Sequence, residues 1–204
     1  MKKTNQLIKD INESIKLKKE LLKIDIQIYK AIDKIYKIIK AGGKVFICGN
    51  GGSAADAQHL SAEFLVRLNP KKNRKPLPIV SLALDSSTLT ACGNDYGFNY
   101  IFSRNLEALG SKKDLLIVIS TSGNSKNILE VLKKSKKKGI YSISFLGSGG
   151  GVAKKYTNLN LVVPHNKVAR IQESHIFIGH FILNEVEKKI QSGEIEIAPL
   201  AFMR

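Results

Sequence analysis

The chain has 204 residues, 43% of them hydrophobic, and a formal net charge of +16 from 33 Lys and Arg against 17 Asp and Glu. That length supports a single domain over residues 1–204, with no linker-like stretch dividing it. No apolar run reaches the ~18 residues of a membrane span, and none follows Lys2 and Lys3 as a secretory signal requires, so no membrane partner and a cytoplasmic location are expected.

The basic charge is spread rather than concentrated. Lysine runs at 16–19, 71–75 and 133–138 fall on expected helix surfaces or loops, with no interleaved aromatics and no zinc-finger or RNA-binding signature. No nucleic-acid partner is expected; the positive field helps attract an anionic substrate. Cys48 and Cys92 lack C-x-x-C spacing and are expected to be reduced and structural.

The N-terminal region 1–41 reads as helical. Leu21, Ile24, Ile28, Ala31, Ile32, Ile35 and Ile39 recur at three and four, and Gly42-Gly43 ends the run. A weaker stripe through Leu7, Ile8, Ile11 and Ile15 suits a separate helix packed on a neighbouring subunit. From residue 44 short apolar strands alternate with helices. Strands are predicted at 44–48, 78–83, 114–119, 140–146 and 160–163. Helices are predicted at 53–68, in pieces over 86–109 broken near Gly93 and Gly97, at 125–138 and at 168–190, with a loose tail after Gly193. This alternation defines an α/β fold with a five-stranded parallel sheet covered on both faces.

In such sheets ligands bind at the carboxyl ends of strands. After the first strand comes Gly49-Asn50-Gly51-Gly52-Ser53-Ala54, a glycine turn that lets backbone approach a ligand and opens a helix toward an anion. It also fits the dinucleotide pattern G-x-G-x-x-A. The ribose-binding acid that should follow at ~20 residues has only Asp85 as a candidate, too far on, so a nicotinamide cofactor is not expected. After the third strand comes Ser120-Thr121-Ser122-Gly123-Asn124-Ser125. One helix cap needs one hydroxyl; four hydroxyls at one strand-to-helix turn suit phosphate. His59 and Glu63, four apart, share a helical face and suit either metal ligation or acid–base work. Arg170, Gln172, Glu173, His175 and His180 place polar groups among apolar ones on the last helix.

Four segments in order, Cys48–Ser53, Cys92–Phe98, Ser120–Ser125 and Ala169–Glu173, resemble the phosphoheptose isomerases, and the resemblance runs from about residue 20 to 190. It implies the sugar-isomerase (SIS) fold, a three-layer αβα sandwich, assembled as a homotetramer with active sites at subunit interfaces. It implies an isomerase that converts sedoheptulose 7-phosphate to glycero-manno-heptose 7-phosphate, for the heptose of bacterial lipopolysaccharide or capsule. Asn50, Gly51, Gly52, Ser53, Glu63, Asn94, Asp95 and Gln172 would then line the sugar. Ser120, Thr121, Ser122 and Ser125 would hold the phosphate. His59, Glu63, Gln172 and His180 match the family's zinc ligands, with one zinc per subunit, and Glu63 and His180 its proton-transfer pair. Where some members carry an aspartate this chain has Ala169, so that contact is absent.

Gln172 and His180 are eight residues apart, roughly 12 Å along a straight helix, so sharing one ion needs extended side chains, a bend or two subunits. Glu173 is the alternative ligand. A related non-catalytic protein of the same fold binds the bacterial replication initiator; it lacks the acid and the final histidine that this chain has as Glu63 and His180. Sugar-phosphate-sensing regulators of this fold append a DNA-binding domain, for which this chain has no room.

Overall fold

The computed structural model of the protein describes residues 2–192 other than 72 and 84; the tail expected to be loose lies outside them. Five strands, β1 (Val45–Gly49), β2 (Ile79–Ser81), β3 (Leu115–Ser120), β4 (Tyr141–Leu146) and β5 (Leu159–Val162), form one sheet in the order β2-β1-β3-β4-β5. Every pairing is parallel. The central strands β1 and β3 are near-continuous apolar runs, buried throughout because both faces are covered, whereas β4 and β5 carry Ser142, Ser144 and Asn160 among their apolar residues. On β1, Val45 and Ile47 face one hydrophobic cluster while Phe46 and Cys48 face the other; on β3, Leu115, Ile117 and Ile119 alternate in the same way with Leu116 and Val118. The first cluster is completed by α2 (Asp25–Lys40), α3 (Gly52–Leu65) and α7 (Val168–Gln191). The second is completed by α4 (Ser86–Asp95), α5 (Ile101–Leu109) and α6 (Lys126–Lys137). The expected αβα layering is therefore present. Truncating a side chain such as the buried Ile119 to alanine would cost about 2–5 kcal/mol.

The predicted elements differ from the observed ones mainly at their ends. The second strand is shorter than 78–83: Pro78 has no N–H to pair, although Leu82 N still donates to Ile47 O at 2.9 Å. Gly93 does not break a helix but lies inside α4; the break is at Gly97, whose φ of 93° favours glycine. The helix predicted at 53–68 stops at Leu65.

The N-terminal stripe forms its own helix, α1 (Lys2–Glu20), and its polar side docks on this chain. Lys18 Nζ donates to Glu173 O at 2.7 Å, Arg170 to Asp10 O at 3.2 Å, and Glu13 pairs with Lys167 at 2.8 Å. The apolar residues Leu7, Ile8, Ile11 and Ile15 stay exposed.

The chain leaves β1 toward β2 on one side and returns to β3 on the other. Between the carboxyl ends of β1 and β3 the two outgoing loops diverge and open a crevice. This is where the glycine turn and the hydroxyl turn emerge.

Candidate active site

The two turns are tied together. Asn50 Nδ2 donates to Asn127 Oδ1 and Asn127 Nδ2 donates back to Asn50 Oδ1, each at 2.8 Å. Ser120 Oγ accepts from Gly123 N at 3.1 Å and Ser122 Oγ from Asn124 N at 3.2 Å, so each hydroxyl keeps its own proton to donate. Ser125 is the N-cap of α6 but makes no side-chain capping bond, and α6 carries no acidic residue in its first turn. The start of α3 is likewise free of a side-chain cap and of carboxylates. Two helix N-termini thus face one crevice without a competing negative charge.

A third turn braces the hydroxyl turn. Gly123, at φ 65°, packs so closely under the glycine run after β4 that a Cβ there would fall 2.1 Å from Gly150 O. Ala153 N donates to Gly123 O at 2.9 Å and Val152 N to Asn124 Oδ1 at 3.0 Å. Neither Asn127 nor this glycine run stood out in the sequence. A buried asparagine one turn into a helix and a glycine cluster between strand and turn are both common without function.

A polar cluster lies two turns down α3. His59 Nε2 and His180 Nε2 are 2.9 Å apart, and His59 Nε2 is 3.7 Å from Glu63 Oε1. One ligand atom from each of the three lies within 4.8 Å of the others. Two imidazole nitrogens on one tetrahedral ion, each at about 2.0–2.1 Å, stand about 3.3 Å apart, so a small opening of the pair admits zinc. The donor set of two imidazoles and a carboxylate also fits that metal. Burial, together with the adjacent His59, lowers the His180 pKa, partly opposed by Glu63, which favours the neutral ring a metal needs. Beside them Asp56 has its carboxylate pushed up to about 6 by burial, partly opposed by His59.

Helices α3 and α7 run side by side in the same direction. Gln172 lies on Gly52, where a Cβ would fall 2.0 Å from its Nε2; Leu60 lies on Gly179; His180 meets His59. Within one chain Gln172 is therefore beside the glycine turn rather than in the histidine cluster, which leaves the two-subunit arrangement as the way for it to join His180 on one ion. An uninterrupted α7 sets it about 12 Å up the axis from His180. The alternative ligand, Glu173, points away: it pairs with Arg170 at 2.8 Å and accepts from Ser14 at 3.3 Å. Asn94 and Asp95 bond to each other at 2.9 Å, and among the described residues no hydrogen bond joins them to the strand-end turns. Asp85, the only candidate for a ribose acid, is spent capping α4 through Ser87 N and Thr88.

Strand order, the paired turns and the two uncapped helix starts define an α/β domain with an anion-ready site at the carboxyl end of its sheet. A family model described as "SIS domain" matches residues 10–147. Phosphoheptose isomerase of Campylobacter concisus is 55% identical over 150 residues, 74% of this chain and 78% of that protein. One from Clostridium acetobutylicum is 48% identical over 157 residues, 77% and 79% of the two chains. The solved phosphoheptose isomerase of Francisella tularensis superposes with a TM-score of 0.88 at 34% identity, covering 93% of this chain and all of that one. That of Neisseria gonorrhoeae gives 0.84 at 37% identity, covering 91% and 98%. The chain belongs to the SIS-domain family and, within it, to the phosphoheptose isomerases. No helix among the described residues is long and apolar enough to cross a membrane.

Proposed function

We propose that the protein isomerises sedoheptulose 7-phosphate to glycero-manno-heptose 7-phosphate through an enediol, with Glu63 and His180 moving the protons. The observation that carries this reading is the juxtaposition of the anion-facing turn at the start of α3 with the His–Glu–His cluster that α3 and α7 form about two turns further on. A seven-carbon open chain, phosphate at one end and carbonyl at the other, matches that layout. Ser120, Thr121, Ser122 and Ser125 hold the phosphate with the first-turn N–H groups of α6. Asn50, Gly51, Gly52, Ser53 and Gln172 line the sugar, with Asn94 and Asp95 at its outer edge.

The reaction moves a carbonyl from C2 to C1. Glu63 takes a proton from C1 while His180 gives one to the C2 oxygen; the enediol then loses its O1 proton to the imidazole and receives a proton at C2 from the carboxyl group. His180 enters that first transfer as the imidazolium and, neutral once the proton is given, accepts the O1 proton in the second. His59, Glu63 and His180 would hold one zinc per subunit, which supplies Lewis-acid polarisation of the carbonyl. Three protein ligands leave a fourth position for water or a substrate oxygen, as in catalytic zinc sites. Gln172, expected from the resemblance as a fourth ligand, is assigned to the sugar because of its place beside Gly52. Held by such an ion, the Glu63 carboxylate would be a weaker base than when free.

The exposed apolar side of α1 supports self-association, and a homotetramer with active sites at subunit interfaces is the assembly proposed from the family resemblance. A cytoplasmic enzyme serving bacterial surface heptose synthesis is the setting proposed. Incubating the purified protein with sedoheptulose 7-phosphate and following the aldose C1 proton by NMR tests the reading. A growing aldose signal is expected; an unchanged ketose spectrum with zinc present would defeat it.

A further inference from the structure

We infer that Arg74 and Glu187 are positioning residues that hold the α3 and α7 halves of the His–Glu–His cluster in register. The inference rests on reading that cluster as a metal site. The last carbonyls of a helix have no partner inside it. At the end of α3 these include the carbonyls of Glu63 and Phe64, and Arg74 donates to both, Nη2 to Glu63 O at 2.8 Å and Nη1 to Phe64 O at 2.7 Å, with Leu77 N a second donor to Phe64 O at 3.1 Å. Its Nε donates to Glu187 on α7. Glu187 also accepts from Leu68 N at 3.3 Å, just past the end of α3. Both side chains are almost fully buried, 3% and 5% exposed. Glu187 is seven residues beyond His180, two turns along the same face of α7.

One guanidinium therefore grips the main chain of the residue that carries the Glu63 carboxylate. Through Glu187 it also grips the helix that presents His180. The planar fork of Arg74 makes four directed bonds, the fourth from Nη1 to Lys75 O at 3.1 Å, a set that a lysine ammonium cannot reproduce. Two ligand-bearing helices that slide by a fraction of a turn would separate His59 from His180. The groups that orient ligands from behind typically change metal affinity or activity by about 10–100-fold when altered.

The test uses Arg74→Lys and Glu187→Gln in the full chain, with cobalt(II) as the metal probe. Its affinity is read by competition with a chromophoric chelator and its geometry by visible absorption, neither of which needs turnover. Each variant should lose about 10–100-fold in cobalt affinity, show a shifted visible band and lose kcat by a similar factor. KM for the sugar phosphate and affinity for inorganic phosphate should hold, because the cradle sits at the other end of α3. Unchanged cobalt affinity and spectrum overturn the inference. So does a parallel loss of phosphate and cobalt binding, which marks a general loosening of the fold. Glu187→Gln keeps volume and an acceptor oxygen, so it decides alone if Arg74→Lys does not fold; failure of both to fold assigns the pair to the fold only and overturns the inference. An unaltered protein that binds no cobalt defeats the metal reading itself.

Discussion

Asn50 and Asn127 pair through two reciprocal amide hydrogen bonds of 2.8 Å each and so lock the turn after β1 to the first turn of α6. Asn127 is buried, so removing its partner leaves unpaired amide groups, each costing about 1–3 kcal/mol. Neither side chain need touch the substrate for the lock to matter, since it fixes the spacing of the two anion-facing helix starts.

The cradle itself is tested by Ser120→Ala combined with Ser122→Ala. Each hydroxyl has a free proton in the structure, and a hydrogen bond to a charged group is worth about 1.5–3 kcal/mol. Inorganic-phosphate affinity measured by calorimetry should fall by at least tenfold and KM should rise. Asn127→Leu should weaken phosphate binding less, through spacing alone. Unchanged affinity in the serine double variant would move the phosphate to the Gly51–Ser53 turn.

Metal content gives a second prediction. His59→Ala or His180→Ala removes one of three protein ligands and should strip the metal, while Gln172→Ala, beside Gly52, should keep it. Elemental analysis of protein purified without chelator should read about one zinc per chain in the parent and in Gln172→Ala. Loss of zinc in Gln172→Ala would return that side chain to the ligand shell.

Assembly is testable at α1. Ile8, Ile11 and Ile15 are about half exposed in the single chain, 53%, 48% and 50%. Ile11→Glu should convert a tetramer to smaller species in light scattering while leaving the helical circular dichroism signal in place, because α1 keeps its polar docking on α7. A parent protein that scatters as a monomer at micromolar concentration contradicts the proposed assembly.

His175 predicts a pH dependence of stability. It is fully buried, and neither ring nitrogen has a hydrogen-bond partner. Burial, opposed by the Leu146 main chain and aided by the Lys18 charge, pushes its pKa down to about 4. The unfolded chain takes up this proton near pH 6.5 and the folded chain only near 4. Its contribution is therefore intact above pH 6.5 and is lost as pH falls toward 4, by about 3 kcal/mol. Asp56, held up to about 6, works in the opposite direction over the same range, so the comparison is with His175→Leu, which retains Asp56. Urea unfolding should show the variant losing less stability than the parent between pH 7 and 4.5. Equal losses would mean that His175 is protonated in the folded state.

Much of this was legible in the sequence. Continuous apolar runs marked β1 and β3, the strands buried along their whole length, while β4 and β5 showed shorter apolar stretches interrupted by Ser142, Ser144 and Asn160. The Gly49–Ser53 and Ser120–Ser125 turns marked the ligand end of the sheet, since their residue types serve close backbone approach and anion contact. Helical spacing put His59 and Glu63 on one face. What was not legible is what depends on packing between distant segments. The Asn50–Asn127 pair joins residues 77 apart, and the Arg74–Glu187 bond residues 113 apart. The eight-residue separation of Gln172 from His180 was legible, but the contact of Gln172 with Gly52 depends on how α3 and α7 dock.

The central claim is that Glu63 takes the carbon-bound proton of a ketose phosphate. Its carboxylate lies on the cluster face of α3, below the anion cradle. Glu63→Gln keeps size and an oxygen donor but removes the base. The decisive measurement is NMR of sedoheptulose 7-phosphate in deuterated water with the parent and with Glu63→Gln. The parent should wash deuterium into the substrate and form aldose. The variant should bind phosphate normally, yet lower kcat by about 10²–10⁴ and exchange no carbon-bound proton. Near-native exchange and turnover in Glu63→Gln would contradict the account and pass the role of base to Asp56.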